Sequence, residues 1–416
     1  MCGFFTANMR GAPMAVYRER TCRSMNTQRK ETLSRRERVR RAIEHKPVDR
    51  MPIDLGCHYS TGISAFAYFN LRKYLGLSTD NVEIVDPGQF LARVDNDVLD
   101  RFRLDAMILH PGYPQTHRWN PRGDYDFIVP AAFQPRLQPN GAYHIYSDEH
   151  PERRSIMPKN GFFFDGDGGV DMWQLSSDEW WRLFAREAER IHKETDYFTM
   201  CCGFPGFFGD MDECCMMYAD PDEFIALNEK RLVYARERFT QMRRWLGDCA
   251  DSIELNGDLG TQSAPYVSAD VYEQCTYPFL KQFCHEVHES SDIKTFMHCC
   301  GSMQQYIPYL IDAGVDVINP VQISAANMDP TDLKTKYGDK IAFWGGGCNS
   351  QYVLGTGTPE EVRQNVTELC SVFAPGSGFI FNQVHNVMGN VPPENIVAML
   401  DCAYEQSFLY GEENPV

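Results

Sequence analysis

Nothing in this chain is long and apolar enough to cross a bilayer: no run of about 18 apolar residues occurs in its 416 residues. Positive charge is also in deficit. With 40 Lys and Arg against 57 Asp and Glu, the formal net charge is -17, which argues against nucleic acid or an anionic membrane surface as the main partner. The first 30 residues lack the ordered charged, apolar and small-residue regions of a secretory signal. They are read as a loosely ordered arm spanning 1–33, and the protein as cytoplasmic. Met25 offers an alternative start, because the helix signal "TLSRRERVRRAIEHK" follows it. Internal repeats and low-complexity tracts are absent too.

Cysteine, by contrast, is plentiful. Fifteen cysteines, an odd number, with doublets at Cys201–Cys202, Cys214–Cys215 and Cys299–Cys300, do not form the pattern of a disulfide framework. A reducing compartment fits better, with Cys201, Cys202, Cys214, Cys215 and Cys275 read as small buried hydrophobes. At 43% hydrophobic and 23% charged residues, the chain can build one large core or two smaller ones.

Short, near-continuously apolar runs recur along it: 51–57, 105–111, 197–204, 252–259, 294–301, 315–321, 340–347 and 378–385. Such runs suit parallel strands covered on both faces. Helical patterns separate them, with Asp220-Pro221 opening one helix and Gly247 closing it, Ser268 capping another, and Thr358-Pro359 opening a third. Eight strand–helix units over 34–416 predict a (β/α)8 TIM barrel, an α/β fold. The aromatic, Gly- and Pro-rich stretch 113–176 fits no such unit. It reads as a long insertion after strand two, roofing the catalytic face, with a small hairpin in it.

In this fold chemistry collects at the C-terminal strand ends. Those positions hold His58 after strand one, His110 after strand two, Glu254, Asn256, Asp258 and Gln262 after strand four, and His298 with Cys300 after strand five. Asn319 follows strand six, Cys348 strand seven, and Gln383 with His385 strand eight. His58, His110, Asn256, Gln262, Asn319 and Gln383 are the candidate substrate-binding residues. In "FMHCCGSM" the two-residue strand period turns His298 and Cys300 the same way and Cys299 the other. An imidazole and a thiolate side by side suit zinc, with His385 or Cys348 as the third ligand. A core strand whose histidine is simply satisfied remains the alternative.

Long motifs then carry a family likeness. "SRRERVRRAIEHKPVDRMPIDLG", the block from "MHCCGSMQQYIPYL" through "KIAFWGGG", "GTPEEVRQNV" and "NVPPENIVAML" resemble the uroporphyrinogen decarboxylase superfamily in the same order. The resemblance implies a TIM barrel and one of two chemistries: cofactor-free decarboxylation, or zinc-dependent methyl transfer with a corrinoid carried on a partner protein. The Arg-rich carboxylate motif of the decarboxylases is missing, since no arginine occurs after strand one until Arg72, and their essential aspartate aligns with Gly112. The His-x-Cys motif of the methyltransferases is matched by His298 and Cys300, while their downstream cysteine falls on His385.

The expectation is therefore a zinc-dependent methyltransferase exchanging a methyl group between a small substrate, such as a methoxylated aromatic, and the cobalamin-type corrinoid of a partner protein. Asp258 and Glu254 are its candidate catalytic carboxylates, orienting a ligand histidine or relaying a proton. A decarboxylase acting on another acid and a scaffold subunit are the rival readings. A homodimer is a further expectation from the superfamily.

Overall fold

The computed structural model describes residues 31–410; residues 1–30, with the arm and the Met25 start, lie outside them. Its centre is a seven-stranded parallel sheet running Ala106–Ile108, Phe198–Pro205, Ser252–Asn256, Lys294–His298, Val317–Asn319, Ala342–Trp344 and Phe379–Ile380, each pairing with the next in sequence order. The expected first strand closes the ring between its two edges, but only as a single parallel bridge, Ile53 to Phe381. Pro52 has no N–H to give to a ladder. On the other side Asp105 N–H donates to Ile53 O, while Ile53 N–H turns to the Asp105 carboxylate at 2.8 Å. Seven of the eight predicted strands form, and the first position is held by this bridge, in a TIM-like α/β fold.

The helices begin and end where local chemistry dictates. Asp220 accepts from Glu223 N–H ahead of Pro221–Leu246, and Gly247 stops that helix at φ +57°. Thr358 and Glu361 form a reciprocal capping box ahead of Pro359–Phe373.

Helix Arg35–Ile43 packs across the N-terminal end of the barrel, adding Val39, Ala42 and Ile43 to an interior of Ala106, Phe198, Met200, Phe296, Val317, Trp344 and Ile380. Under it lies a buried ion cluster. Arg38 Nη1 and Arg50 Nη1 donate to the two Asp105 oxygens at 2.6 and 2.7 Å, and Arg38 Nε donates to Asp49 at 2.7 Å. This charge sits at the end opposite the strand C-termini, so it serves the fold.

Two small sheets were not expected in this form. Val82–Asp86, a missed strand between strands one and two, pairs parallel with Phe127–Pro130 of the insertion, which forms a hairpin with Thr116–Trp119. Arg136–Leu137, Tyr143–Tyr146, Arg154–Met157 and Asp165–Gly166 form a second antiparallel sheet. The anticipated single hairpin is therefore two sheets, joined where the Trp119 ring of the first meets Tyr143 of the second, 5.3 Å between centroids. No helix among the described residues is long and apolar enough to cross a membrane.

Candidate active site

The alternation that buries Phe296 in the barrel interior brings His298 to the same side at the strand's C-terminal end. The same parity places Glu254, Asn319 and Cys202 above the interior layer. These ends open into a cavity of about 460 Å³. Its polar floor includes His58, Glu254, Asp258, His298 and His385, and its wall is aromatic, with Tyr59, Trp173, Trp180 and Phe184.

His298, Cys300 and His385 each present one ligand atom, all within 4.8 Å of one another. His298 Nε2 lies 3.7 Å from Cys300 Sγ. Two ligands bound at about 2.05 and 2.3 Å to one tetrahedral zinc are about 3.5 Å apart, so this spacing needs little adjustment. The tautomer suits as well. Asn319 Nδ2 donates to Trp344 O at 2.9 Å, which turns its Oδ1 toward His298 Nδ1 at 3.2 Å. An amide oxygen can only accept, so Nδ1 carries the proton and Nε2 keeps a lone pair beside Cys300.

Burial, then the neighbouring His58 ring, lowers His298. Burial and the His298 ring push His385 down to about 4, so both rings are neutral donors at pH 7. Burial and the Asp258 carboxylate push the Cys300 thiol up, so a metal would have to displace its proton. His385 is less prepared. Its Nδ1 accepts from Asn386 N–H at 2.8 Å, and ligation through Nε2 would move the ring proton and give up that bond. Its backbone sits at φ +60°, a strained conformation for a residue with a Cβ, held by Gln383 Nε2 donating to His385 O at 2.7 Å.

The other predicted residues divide. Asp258 is half exposed; its Oδ1 accepts from Cys300 N–H at 2.8 Å and lies 3.7 Å from His298 Nε2. Glu254 is buried, taking Gly203 N–H at 2.8 Å on one oxygen and facing His58 Nε2 at 3.3 Å with the other. Asn256 lines the cavity. Cys348 does not join the metal-type group: its fully buried thiol lies by Cys402 and Cys370 in the helix layer.

Four residues expected to touch substrate do other work. His110 packs behind Trp173 and Tyr113, with ring centroids 5.0 and 5.1 Å away, and burial pushes it down to about 3. Gln262 ties loops together, accepting from Gln322 Nε2 at 2.7 Å. Asn319 and Gln383 are fully buried and hold His298 and His385 from below.

Two residues were missed. Cys202, read as packing, lines the cavity, as does Arg238 from the helix Pro221–Leu246. Arg238 Nη2 donates to Cys202 O at 2.8 Å and its guanidinium lies over Phe204, 5.3 Å from the ring centre. Cys202 follows Phe198 and Met200 at the two-residue period, a signal that was available. Nothing in the amphipathic pattern around Arg238 marks it as facing a pocket.

The uroporphyrinogen decarboxylase (URO-D) family model matches residues 211–406, which contain strands four to eight and all three metal-type ligands. Over that stretch the chain is similar to the uroporphyrinogen decarboxylase family. A uroporphyrinogen decarboxylase of Psychromonas ingrahamii is 30% identical over 106 residues, covering 26% of this chain and 28% of that protein. One of Chlorobaculum tepidum is 21% identical over 193 residues, 44% of this chain and 53% of that protein. The matched stretches thus span at most about half the length of these relatives. Among solved structures, a methyltransferase from Methanosarcina mazei superposes with a TM-score of 0.53 at 13% identity, covering 90% of this chain and 99% of that one. At that identity the likeness speaks for the fold alone.

Proposed function

We propose that this protein is a zinc-dependent methyltransferase that moves a methyl group between a small apolar substrate and the corrinoid of a partner protein. The observation that carries the reading is the group His298, Cys300 and His385 at the strand ends, with His298 held by Asn319 in the tautomer a metal requires. Bound there, zinc would supply Lewis-acid activation of the oxygen, sulfur or nitrogen that carries or accepts the methyl group.

The residues of the chain supply position and dryness. Asn319 orients the His298 ring, and Gln383 holds the His385 backbone through its carbonyl. Asp258 holds the Cys300 backbone and faces the Cys300 thiol, whose proton it could take on loading. Tyr59, Trp173, Trp180 and Phe184 form a wall against which a flat apolar substrate such as a methoxylated aromatic would stack. Among the described residues there is no helix or loop that supplies a corrinoid, so the cobalt would arrive on another chain at the cavity mouth.

The test is metal content after chelation and reloading with zinc. The reading expects bound zinc that Cys300→Ala and His385→Ala reduce by one equivalent. It further expects methyl transfer to added cob(I)alamin that depends on this equivalent. Zinc loading unchanged in both variants would overturn it.

One observation favours a second reading, a decarboxylase acting on another acid. Arg238 stands in the cavity wall with a buried Nε that has no hydrogen-bond partner, a natural seat for a carboxylate. Release of CO2 from an aromatic or heteroaromatic acid by zinc-free protein would favour it.

A further inference from the structure

The same cavity holds a second group of metal-type ligands that the methyl-transfer reading leaves unused. His58, Cys202 and Glu254 each place one ligand atom within 4.8 Å of the other two. They come from strand-one, strand-three and strand-four ends, so three separate parts of the barrel rim converge on one point. His58 and Glu254 are each 3% exposed.

The hydrogen bonds around them leave a gap in one place. His58 Nδ1 is 2.6 Å from Ser60 Oγ, and Ser60 Oγ donates in turn to Asn319 Oδ1 at 2.6 Å. Ser60 N–H donates to Nδ1 at 3.0 Å, so a cation at Nε2 would move the ring proton to Nδ1, beside Ser60 Oγ. The buried Nε2 has no hydrogen-bond partner. It lies 3.3 Å from a Glu254 oxygen, off the line a hydrogen bond needs. Two ligands bound at about 2.05 Å to one tetrahedral zinc are about 3.3 Å apart, so the spacing of this nitrogen and oxygen suits a cation held between them.

Glu254 is prepared for that role. Gly203 N–H occupies one oxygen and leaves the other toward His58. Among the described residues lining the cavity Arg238 is the one Arg or Lys, and its Nη2 donates to the Cys202 carbonyl while it stacks on Phe204.

We propose that His58, Cys202 and Glu254 form a second divalent-cation site beside the first, with the His58 and His298 rings 5.8 Å apart. One nitrogen, one sulfur and one carboxylate oxygen select zinc or a similar borderline-soft ion over Mg2+ or Ca2+, which favour all-oxygen shells. Three protein ligands leave a position open to the cavity. Asn319 Oδ1 accepts from both Ser60 and His298, so one asparagine presents both histidines. The assignment does not rest on the methyl-transfer reading.

Protein stripped by chelation and reloaded with zinc or Co2+ tests it, with metal counted by mass spectrometry and Co–thiolate charge-transfer absorption recorded. Wild type is expected to hold two equivalents, and Cys202→Ala, His58→Gln and Cys300→Ala one each. The charge-transfer band should persist in Cys300→Ala and disappear in the Cys202→Ala/Cys300→Ala double variant. One equivalent in wild type, kept by Cys202→Ala and lost in Cys300→Ala, would remove the second site and leave the first. One equivalent kept by Cys300→Ala and lost in Cys202→Ala would do the reverse. Two equivalents that survive both Cys202→Ala and His58→Gln would place the second ion elsewhere and overturn the assignment, as would no metal at all.

Discussion

Replacing Asn319 by leucine, a side chain of similar size, separates presentation of the histidines from simple packing. Asn319 is fully buried and makes three hydrogen bonds: it accepts from Ser60 Oγ at 2.6 Å and His298 Nδ1 at 3.2 Å, and donates to Trp344 O at 2.9 Å. Leucine leaves three buried polar groups without that partner, at about 1–3 kcal/mol each before relaxation. Partial rescue by repacking brings the expected loss of stability to roughly 3–6 kcal/mol. Zinc affinity at both groups should fall about 10–100-fold, the usual effect of removing a hydrogen bond that orients a ligand histidine. Ser60→Ala cuts only the His58 branch, so it should weaken the His58 group and spare the His298 group. Urea unfolding gives the first quantity and competition with a chromophoric chelator the second. A leucine variant that is destabilised yet binds zinc as tightly as wild type would refute the reasoning, for Asn319 would then support the fold alone.

Asp105→Asn removes the charge that pairs with buried Arg38 and Arg50, and should lower the unfolding free energy by about 3–5 kcal/mol in urea while metal loading is kept. His110 is pushed from an ordinary 6.5 to about 3 by burial, then by Arg93. The unfolded chain therefore binds the extra proton, and its contribution to stability is complete above pH 6.5 and declines as pH falls toward 3, by up to about 1.4 kcal/mol per unit. His110→Gln should flatten that slope in chemical denaturation at pH 5 to 7. Asp220→Ala removes the side chain that caps Glu223 N–H and should cost about 1 kcal/mol, read as a lower urea midpoint with unchanged slope. Arg238→Met should weaken binding of a benzoate-type acid more than of a neutral aromatic ether, measured by calorimetry. Equal loss for both would show that the guanidinium serves only to pack on Phe204.

Much was legible in the chain by itself. Continuous apolar runs marked all eight barrel positions, because parallel strands covered on both faces leave no polar alternation to hide them. Caps at Asp220, Ser268 and Thr358 rest on bonds to residues three positions on, so local sequence dictates them. The two-residue period also aligned His298 with Cys300, and applied at strand three it would have found Cys202.

Tertiary structure alone decided the rest, because it depends on which strand ends meet across the barrel. It placed His385 beside His298 and Cys300 and buried Cys348 by Cys370 and Cys402. It moved His110 behind Trp173, drew Arg238 from a helix into the cavity wall, and set Asn319 beneath two histidines 261 and 21 positions away from it in sequence. Such contacts between distant segments carry no period and no local motif; only barrel closure brings them together.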